Sequence, residues 1–357
     1  MGTPSVSVLI PVYNGERTIA GCIDSVLAQQ YPRLEVVVVN DCSTDRTAEI
    51  LRRYEGRVRV FTNARNSGIA ATYNRAIREA SGDIVLTVAS DCILLSPDYV
   101  ERMVRHFDDP TVGAVVGKSM MPEWDRAPWL ERVFTRLNIL DTNCPDTGAH
   151  EVNFVELRCD GYRRQLLIDV GGLNEDLFRS NEDQDLSIRI ARRGARLLQD
   201  NSLEFELGFG GTEDTLGKLL SKQTQYARGQ AYIAVNYGVG SRNGLWTNEN
   251  RRMRAVHRMS QVATLPILVA TALVALAWPG AAAAVLAMLL VTRLWWYARL
   301  ARDLKPAERL AALALGPVCD VLYSFSFWTS AVGWIASGKA AFNRRQVGHL
   351  EIARPRA

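Results

Sequence analysis

Three carboxylates follow short apolar runs that have the character of β-strands. Glu16, Asp41 and Asp91 each come just after such a run. In an open parallel sheet the carboxyl ends of the strands meet at one edge, and ligands bind there. Carboxylates at that edge can hold a hard divalent cation, which neutralises the charge of a diphosphate. The spacing therefore predicts a metal-assisted site for a ligand that contains phosphate.

The segments that must position these carboxylates alternate between two periodicities. Five short runs rich in β-branched residues are separated by segments with apolar residues at helical spacing, such as Ile19, Ile23 and Val26. This alternation predicts an α/β fold, in which a mostly parallel sheet is flanked by helices. The predicted strands are Val6–Ile10, Glu35–Val39, Val58–Thr62, Ile84–Val88 and Val112–Val116.

Several other kinds of site are disfavoured by the sequence. No GxGxxG motif follows the first strand, which argues against a dinucleotide-binding crevice. The segment Gly113–Ser119 is one residue short of a P-loop and has an apolar interior, so we interpret it as a strand. The six cysteines form no CxxC pair and the four histidines are scattered, so a cysteine- or histidine-based metal cluster is not expected.

The motifs between Ser5 and Gly229 resemble those of the family 2 glycosyltransferases, and they occur in the same order. This resemblance implies a GT-A fold and the transfer of a sugar from a nucleotide diphosphate sugar. The segments that carry it are Val8–Asn14, Val38–Asp45, Asn66–Gly68 with Asn74, Gly82–Asp91, Arg163–Arg164, Gly171–Leu177 and Asn181–Leu186.

The resemblance also implies a donor site. Asp41 is expected to accept a hydrogen bond from an N–H of the nucleobase. Arg228 could reach a phosphate, although a solvated side chain is an equally good interpretation. Ser43, Thr44 and Asp45 fit a helix cap and turn better than a ligand contact. The other predicted donor contacts are Pro11, Tyr13 and Glu16, which would line the base pocket, together with Asn74 and Ser90.

Metal binding and proton transfer are assigned to different carboxylates. Asp91 is the expected ligand of Mg²⁺ or Mn²⁺, although Ala89 stands where the family's DxD motif has its first carboxylate. Asp183 is the expected general base by resemblance to the family's Glu-Asp motif, and Glu182 is its local rival. A single displacement with such a base inverts the anomeric configuration of the sugar.

Two departures from the family leave alternatives open. Gln225 and Arg228 have the spacing of the QxxRW motif of processive synthases, but Gly229 replaces the tryptophan, which disfavours a processive polysaccharide synthase. Ala89 is the only support for a catalytically silent scaffold that binds nucleotide sugars. A nucleotidyltransferase is disfavoured because the first strand is not followed by a glycine-rich basic loop.

The charge of the 357-residue chain divides it into two unlike parts. Residues 1–240 hold 27 Lys and Arg against 33 Asp and Glu, a net charge of −6. Residues 241–357 hold 15 against 5, a net charge of +10, and contain long apolar stretches. We therefore expect a cytoplasmic catalytic domain over 1–240, without a signal peptide, and a membrane region over 241–357.

Two stretches of the basic part, about 259–278 and 280–298, are long enough to span a bilayer. The arginine-rich flanks place both ends of this hairpin in the cytoplasm by the positive-inside rule, and Arg293 is expected to snorkel outward. The stretch 310–337 contains Asp320, so we expect it to be re-entrant or interfacial and the basic tail to be cytoplasmic. The region Met120–Leu140 fits either an amphipathic, membrane-facing segment or an ordinary, partly exposed helix.

These observations predict an inverting glycosyltransferase of the inner membrane, with its catalytic domain on the cytoplasmic side. It would move one sugar from a nucleotide diphosphate sugar to a lipid-linked or other membrane-associated acceptor. No nucleic acid partner is expected. The sugar, the base and the acceptor are not encoded in any motif that we can identify.

Overall fold

The computed structural model describes residues 2–120, 128–138, 148–177, 181–208, 215–238 and 251–337, with only the backbone for 251–255. The described residues divide into two compact units. The sheet unit holds residues 2–120 together with the described parts of 148–208. The helical unit holds 128–138, 215–238 and 251–337.

Nine strands are found in the sheet unit, and they include all five strands predicted from the sequence. They are β1 (Val6–Val12), β2 (Leu34–Asn40), β3 (Arg59–Thr62), β4 (Ile84–Val88), β5 (Cys92–Leu94), β6 (Val112–Met120), β7 (Ala149–Val152), β8 (Cys159–Arg163) and β9 (Arg196–Leu207). The P-loop-like segment is part of β6, as predicted.

Helices flank this sheet and make up the helical unit. They are α1 (Ile19–Leu27), α2 (Thr47–Arg52), α3 (Ile69–Glu79), α4 (Tyr99–Arg105), α5 (Trp129–Asn138), α6 (Arg164–Asp169), α7 (Glu182–Arg192), α8 (Leu216–Tyr237), α9 (Arg251–Ala275), α10 (Pro279–Leu300) and α11 (Pro306–Ala336).

The predicted α/β fold is confirmed, and the sheet is mixed. Its strand order is β3-β2-β1-β4-β8-β6-β9-β5, with β7 also paired to β9. The first four strands of that order are parallel to one another. Strand β8 runs antiparallel between β4 and β6. The parallel part is therefore the part that carries the predicted strand-end carboxylates.

Each face of the sheet has its own apolar core, because successive side chains of a strand point to opposite faces. In β1, Val8 and Ile10 pack toward α1 and α4, whereas Leu9 packs toward α3 and α7. Burial on both faces explains why β1 and β2 are continuous apolar runs rather than alternating ones. This packing fixes the strand ends, from which the site is built.

Three helices of the helical unit are long and apolar enough to cross a membrane: residues 256–275 of α9, and the whole of α10 and α11. The first two correspond to the predicted spans. Helix α11 is one continuous helix of 31 residues, with Pro317 inside it. A continuous helix of that length does not turn back on itself, so the re-entrant path proposed for 310–337 is wrong.

An ion pair inside the helical unit joins α9, α10 and α11. The Arg293 guanidinium donates to both carboxylate oxygens of Asp320, at 2.7 Å each, and to Ser260 Oγ at 2.6 Å. The Arg293 side chain is 11% exposed. Arg293 is therefore paired with Asp320, and the prediction that it snorkels outward is wrong. The reason is that α11 brings a carboxylate within reach, which the sequence of α10 alone does not reveal.

The division between the two units does not fall at the predicted domain boundary, residue 240. Helices α5 and α8 precede that residue but belong to the helical unit. Leu130, Phe134 and Leu137 of α5 are buried in one cluster with Leu219 of α8 and with residues of α10 and α11. Arg132 of α5 also forms a buried ion pair with Glu308 of α11. Residues 128–138 are thus a packed helix, with Trp129 half exposed. The rest of Met120–Leu140 lies almost wholly outside the described residues.

Candidate active site

Hydrogen bonds join the loops that follow β1 and β2. The backbone N–H of Asn14 donates to Ser43 Oγ at 2.9 Å, and the N–H of Thr44 donates to Asn14 Oδ1 at 2.8 Å. Asn14 has a φ of 52°, a conformation that asparagine tolerates better than most residues. The two strand-end loops therefore form a single ledge, as the parallel sheet predicts.

Asp45 performs the capping role that the sequence suggested for it or for Ser43. Its carboxylate accepts from the N–H of Thr47, in the first turn of α2, at 3.0 Å. It also accepts from the N–H of Glu16 at 3.0 Å. Glu16 in turn accepts from the N–H of Arg46 at 3.1 Å. The Glu16 side chain therefore helps to stabilise the two loops of the ledge. Tyr13, on the same ledge, is 47% exposed.

Asp41 is buried directly behind the ledge, at the carboxyl end of β2. Its Oδ1 accepts from Asn63 Nδ2 at 2.7 Å and from the N–H of Ser67 at 2.9 Å. Its Oδ2 accepts from the N–H of Gly68 at 2.9 Å. A carboxylate oxygen can accept two hydrogen bonds, so Oδ2 keeps one position for a ligand N–H.

Both the nitrogen and the oxygen of the Asn74 side-chain amide form hydrogen bonds with the loop that follows α6. Its Nδ2 donates to the carbonyl of Leu173 at 2.9 Å and to Glu175 at 2.8 Å, while its Oδ1 accepts from the N–H of Leu173 at 2.7 Å. It is 3% exposed. The structure thus places Asn74 as a buried link between α3 and this loop.

The glycine pair of that loop has the conformation expected of it. Gly171 and Gly172 have φ values of 83° and 68°. Their N–H groups donate to the carbonyls of Ile168 and Leu167, which ends α6 in the left-handed turn that glycine adopts without steric cost. The start of the loop is therefore fixed by this turn and by the hydrogen bonds between Leu173 and Asn74.

Asp91 follows β4 at the same edge of the sheet. A Cβ atom placed on Gly15 would lie 3.8 Å from Ser90 Oγ, so Ser90 adjoins the loop after β1. The carbonyl of Asp91 accepts from the N–H of Gly208 at 2.6 Å. Pro11 is buried within β1, opposite Val39 of β2. The edge thus brings together Tyr13, Glu16, Asp41, Ser90 and Asp91.

The protein groups near Asp91 determine how a metal ion could be bound there. Within the described ranges, no three His, Cys, Asp or Glu side chains are placed to hold a metal ion by themselves. Ala89 packs against the apolar core on the α1 side of the sheet. Mg²⁺ is bound by one or two carboxylates when phosphate oxygens and water complete its shell. A single carboxylate at the sheet edge fits a cation that arrives with a diphosphate.

Glu182 and Asp183 open α7, and a chain of hydrogen bonds ties them to the end of β4. The N–H of Ala89 donates to the carbonyl of Arg158 at 2.7 Å. The N–H of Val155, in the same connection before β8, donates to Ser187 Oγ at 3.2 Å. Ser187 Oγ donates to the carbonyl of Asp183 at 2.8 Å. The connection before β8 is therefore bonded both to the end of β4, which leads to Asp91, and to the first turn of α7, which carries the pair.

Burial dominates the electrostatics of this pair. It raises the pKa of Glu182 to about 7, and Glu182 Oε2 is buried with no hydrogen-bond partner among the described residues. Burial and the nearby charge of Glu182 also raise the pKa of Asp183 well above its usual range. A raised pKa makes the ionised form of a carboxyl group a stronger acceptor for the proton of a hydroxyl.

Replacing Glu182 with glutamine is expected to make the protein more stable above pH 7, by about 1–3 kcal/mol. The folded protein keeps the Glu182 proton at pH values where the unfolded chain has released it, so stability falls as the pH rises from about 4.5 to 7. Glutamine removes that penalty without changing the shape of the side chain. Below pH 4.5 the two proteins should be equally stable.

Thermal unfolding in detergent from pH 4 to 8 measures this difference. Glu49→Gln is the matched control, because Glu49 is an exposed partner of Arg53 on α2 and such pairs contribute little. A Glu182→Gln protein that is no more stable than wild type at pH 8 would show that Glu182 carries no burial penalty.

One charged residue of this region was missed by the sequence reasoning. Asp160 of β8 is fully buried, and burial raises the pKa of its carboxyl to about 7. No local signal was available, because Asp160 lies in the mixed sequence Cys-Asp-Gly-Tyr-Arg rather than in an apolar run. Arg228, in contrast, is exposed on α8 of the helical unit. Its predicted phosphate contact stays a prediction.

Comparisons with known proteins agree with this arrangement. The model of the family described as "Glycosyl transferase family 2" matches residues 7–171. An uncharacterized protein of Mycobacterium tuberculosis, MT1568, is 32% identical over 228 residues, which are 59% of this chain and 70% of that protein. An N-acetylglucosaminyltransferase of Rhizobium sp. strain N33 is 32% identical over 242 residues, 63% of this chain and 52% of the relative. The chain thus spans about half of that transferase.

Among solved structures, a mannosyltransferase from Pyrobaculum calidifontis, in complex with GDP-mannose and Mn²⁺, has a TM-score of 0.58. It is 22% identical and the match covers 90% of this chain and 87% of that one, so it establishes the GT-A fold. A fold alone does not imply an activity. The family match and the 32% identical relatives, together with the carboxylates gathered at one sheet edge, do: the chain belongs to the family 2 glycosyltransferases and is a nucleotide-sugar-dependent enzyme.

Proposed function

We propose that the protein transfers one sugar, with inversion, from a nucleotide diphosphate sugar to a lipid-linked acceptor at the cytoplasmic face of the inner membrane. The observation that carries this proposal is the position of Asp41 and Asp91 in the parallel part of the sheet, after the carboxyl ends of β2 and β4. The connection before β8 is bonded to the end of β4 and to the first turn of α7, which carries Glu182 and Asp183. The presence of three apolar helices in the same chain supports the membrane part.

The base and ribose of the donor would lie on the ledge formed by the loops after β1 and β2. The remaining acceptor position of Asp41 Oδ2 suits an N–H of the nucleobase. The exposed ring of Tyr13 offers a surface on which the base can stack. Pro11 and Glu16 would form the wall behind it. Asn74 takes a positioning role in this proposal, because its amide is already occupied by Leu173 and Glu175.

Asp91 would hold a divalent cation, Mg²⁺ or Mn²⁺, together with the diphosphate of the donor. When bound, that cation neutralises the charge that develops on the leaving nucleoside diphosphate. Ser90, beside Asp91, adjoins Gly15 and would lie along the diphosphate. This arrangement needs one protein carboxylate, which agrees with the apolar packing of Ala89.

Asp183 would act as the general base. An acceptor hydroxyl gives its proton to the Asp183 carboxylate while its oxygen forms a bond to the anomeric carbon of the sugar. The bond from that carbon to the phosphate oxygen breaks on the opposite face, and its electron pair leaves with the nucleoside diphosphate. One displacement of this kind inverts the anomeric centre.

The helical unit supports a membrane-associated acceptor. The α9–α10 hairpin exposes large apolar side chains along its length and at its turn, among them Val269, Leu276, Trp278 and Val291. A hairpin of this kind anchors a chain in a bilayer. An anchored chain keeps its catalytic unit near the membrane surface, where lipid-linked acceptors are concentrated.

An interfacial course for α11 remains our proposal. Its apolar side chains Val318, Phe325 and Trp328 are exposed, while α8 packs against its other side. Helix α8 exposes Lys218 and Arg228. Charged groups surrounded by hydrocarbon are costly, so a helix pair with one apolar and one charged face is better placed in the headgroup region. This course keeps the basic tail in the cytoplasm.

Transfer to lipid can be measured with membranes that contain the full-length protein. Radiolabelled UDP-N-acetylglucosamine and GDP-mannose would be supplied with Mn²⁺, and the lipid extract would be counted. The proposal expects label in the lipid fraction with at least one donor, and none when the cation is chelated. Label found only in water-soluble products would overturn the lipid-linked acceptor. Donor binding without any transfer would favour the silent scaffold.

A further inference from the structure

We propose that Arg258, with Gln261 beside it, binds the phosphate headgroup of a lipid. The site lies within the helical unit, among α8, α9 and α11, and takes no part in donor binding, metal binding or proton transfer. The inference goes beyond the proposed function, because a lipid phosphate can bind here whether or not that lipid is the sugar acceptor.

The first observation concerns the charge of Arg258. Its Nη1 donates to Gln261 Oε1 at 2.9 Å. Within the described parts of the chain, no carboxylate forms an ion pair with Arg258. Arg293 of α10 is different, because both carboxylate oxygens of Asp320 accept from it. A guanidinium has five N–H donors, so Arg258 can bind an anion and keep its hydrogen bond to Gln261.

The second observation is how the guanidinium is held without a carboxylate. Its Cζ lies 5.1 Å from the ring centroid of Tyr323 of α11 and 5.8 Å from that of Tyr226 of α8. Both distances are within the range of a cation–π interaction. The faces of the two rings stabilise the cation without neutralising its charge. Arg258 is also partly exposed, so a ligand can reach it.

The third observation is a pair of buried amide groups with unused hydrogen-bonding atoms. Gln261 is 1% exposed, and its Nε2 has no partner among the described residues. Since Gln261 Oε1 accepts from Arg258, this N–H₂ group lies beside the guanidinium. Gln223, one turn before Tyr226 on α8, is fully buried, and its amide has no partner in the described ranges. Burying amides without partners is unfavourable, so a ligand that accepts from them is stabilised.

The chemistry of these groups suits a phosphate. Arg258 offers a cation and Gln261 offers an amide N–H₂ group, and both donate hydrogen bonds to oxygen. The planar fork of a guanidinium matches two oxygens of one phosphate group. Gln261 Nε2, which adjoins the guanidinium, is placed to donate to the same group. An anion with several oxygens therefore satisfies more of these donors than a sugar hydroxyl does.

The position of Arg258 indicates that a lipid carries the phosphate. Arg258 lies in the first turn of residues 256–275, the part of α9 that is long and apolar enough to cross a membrane. The ends of such a segment lie at the depth of the lipid headgroups. Val256 and Met259, on either side of Arg258 in the chain, expose their apolar side chains. Basic sites between membrane helices bind anionic headgroups at this depth.

The test is the binding of radiolabelled farnesyl phosphate to the full-length protein in detergent, without sugar donor or added cation. Arg258→Gln should weaken this binding about 10–100-fold, because it removes hydrogen bonds that carry a charge. Farnesol, which has the same chain and no phosphate, should compete weakly with the labelled probe. Inorganic phosphate should compete only at much higher concentration, because it has no chain.

Gln261→Glu tests the same site without removing the arginine. The new carboxylate would lie where Gln261 Oε1 accepts from Arg258, so it would pair with the guanidinium and repel phosphate. We expect a loss of binding at least as large as that of Arg258→Gln. This variant keeps the size of the side chain and its contact with Arg258, so it serves if Arg258→Gln does not fold.

Arg299→Gln is the matched control. Arg299 is an exposed arginine whose Cζ also lies over an aromatic ring, 5.9 Å from the centroid of Trp295. It belongs to the same end of the α9–α10 hairpin as Arg258, where Trp296 Nε1 donates to His257 Nδ1 at 3.1 Å. The control removes one positive charge at that end and should bind farnesyl phosphate as the wild-type protein does.

Three other results would overturn the inference. Folded Arg258→Gln or Gln261→Glu protein that binds farnesyl phosphate as wild type does would show that the phosphate lies elsewhere. Farnesol or inorganic phosphate competing as well as unlabelled farnesyl phosphate would exclude a lipid phosphate as the ligand. An equal loss in Arg299→Gln would show that binding depends only on net charge. Sugar transfer is not measured, so a failure of the proposed function would leave these results unchanged.

Discussion

Asp183→Asn is expected to lower the rate of sugar transfer by about 10²–10⁴-fold, the range typical of losing a general base. Asparagine has the same shape, and its side-chain oxygen can still accept from the N–H of Gln184, as Asp183 does at 2.7 Å. The first turn of α7 should therefore keep its structure. Donor binding should be retained, because Asp183 acts on the acceptor. Initial rates with labelled donor, measured beside equilibrium donor binding, check both expectations.

Glu182→Gln is the control for this experiment. It replaces the carboxyl group of the neighbouring residue, which is the rival candidate for the base, with an amide. Like Asp183→Asn, it removes one carboxyl group from the first turn of α7. We expect its loss of transfer to be much smaller than that of Asp183→Asn. The reverse order, with Glu182→Gln inactive and Asp183→Asn active, would assign the base to Glu182.

Asp91→Asn is expected to weaken donor binding in the presence of Mn²⁺ by about 10–100-fold or more, since even groups that only support a metal ligand contribute that much. Of the described carboxylates at this edge, Asp41 and Glu16 are engaged in hydrogen bonds within the protein, so we expect Asp91 to supply the carboxylate that binds the cation. In EDTA the variant and the wild-type protein should bind the donor equally. Titration with UDP-N-acetylglucosamine or GDP-mannose, with and without Mn²⁺, measures the difference.

Asp108→Asn is a suitable comparison for this variant, because Asp108 is an exposed carboxylate of the same unit. It should bind donor as the wild-type protein does under both conditions. If Asp91→Asn retained full Mn²⁺-dependent binding, the cation would have to be held by other groups, and the proposed metal site would be incorrect.

The strands of the parallel part of the sheet were predictable because each is specified by its own short run of residues. Val36–Val39 form a β-branched run that is buried on both sides, and such a run has few alternatives to a central strand. Polar residues follow several of these strands, and this pattern predicted that the strand ends meet at one edge of the sheet. The hydrogen bonds between the loops at Asn14 and Ser43 confirm that neighbouring strand ends meet.

The roles of individual polar side chains were less predictable, since they depend on partners far along the chain. Asn74 carries a family motif, yet its amide is bonded to Leu173, 99 residues away. Asp160 has no neighbouring motif, and its burial follows from the position of β8 between β4 and β6. Nothing in the sequence near either residue distinguishes a ligand contact from a contact within the protein.

The sequence by itself determined the α/β fold, the presence of carboxylates at the ends of its parallel strands and the presence of long apolar helices, because these follow from residue type and short-range periodicity. Only the tertiary structure decided that α5 and α8 join the helical unit, that Arg293 is paired with Asp320, and that Asp160 is buried in a strand between β4 and β6. Packing of apolar faces and pairing of buried charges are long-range interactions. Their partners are selected when the chain folds.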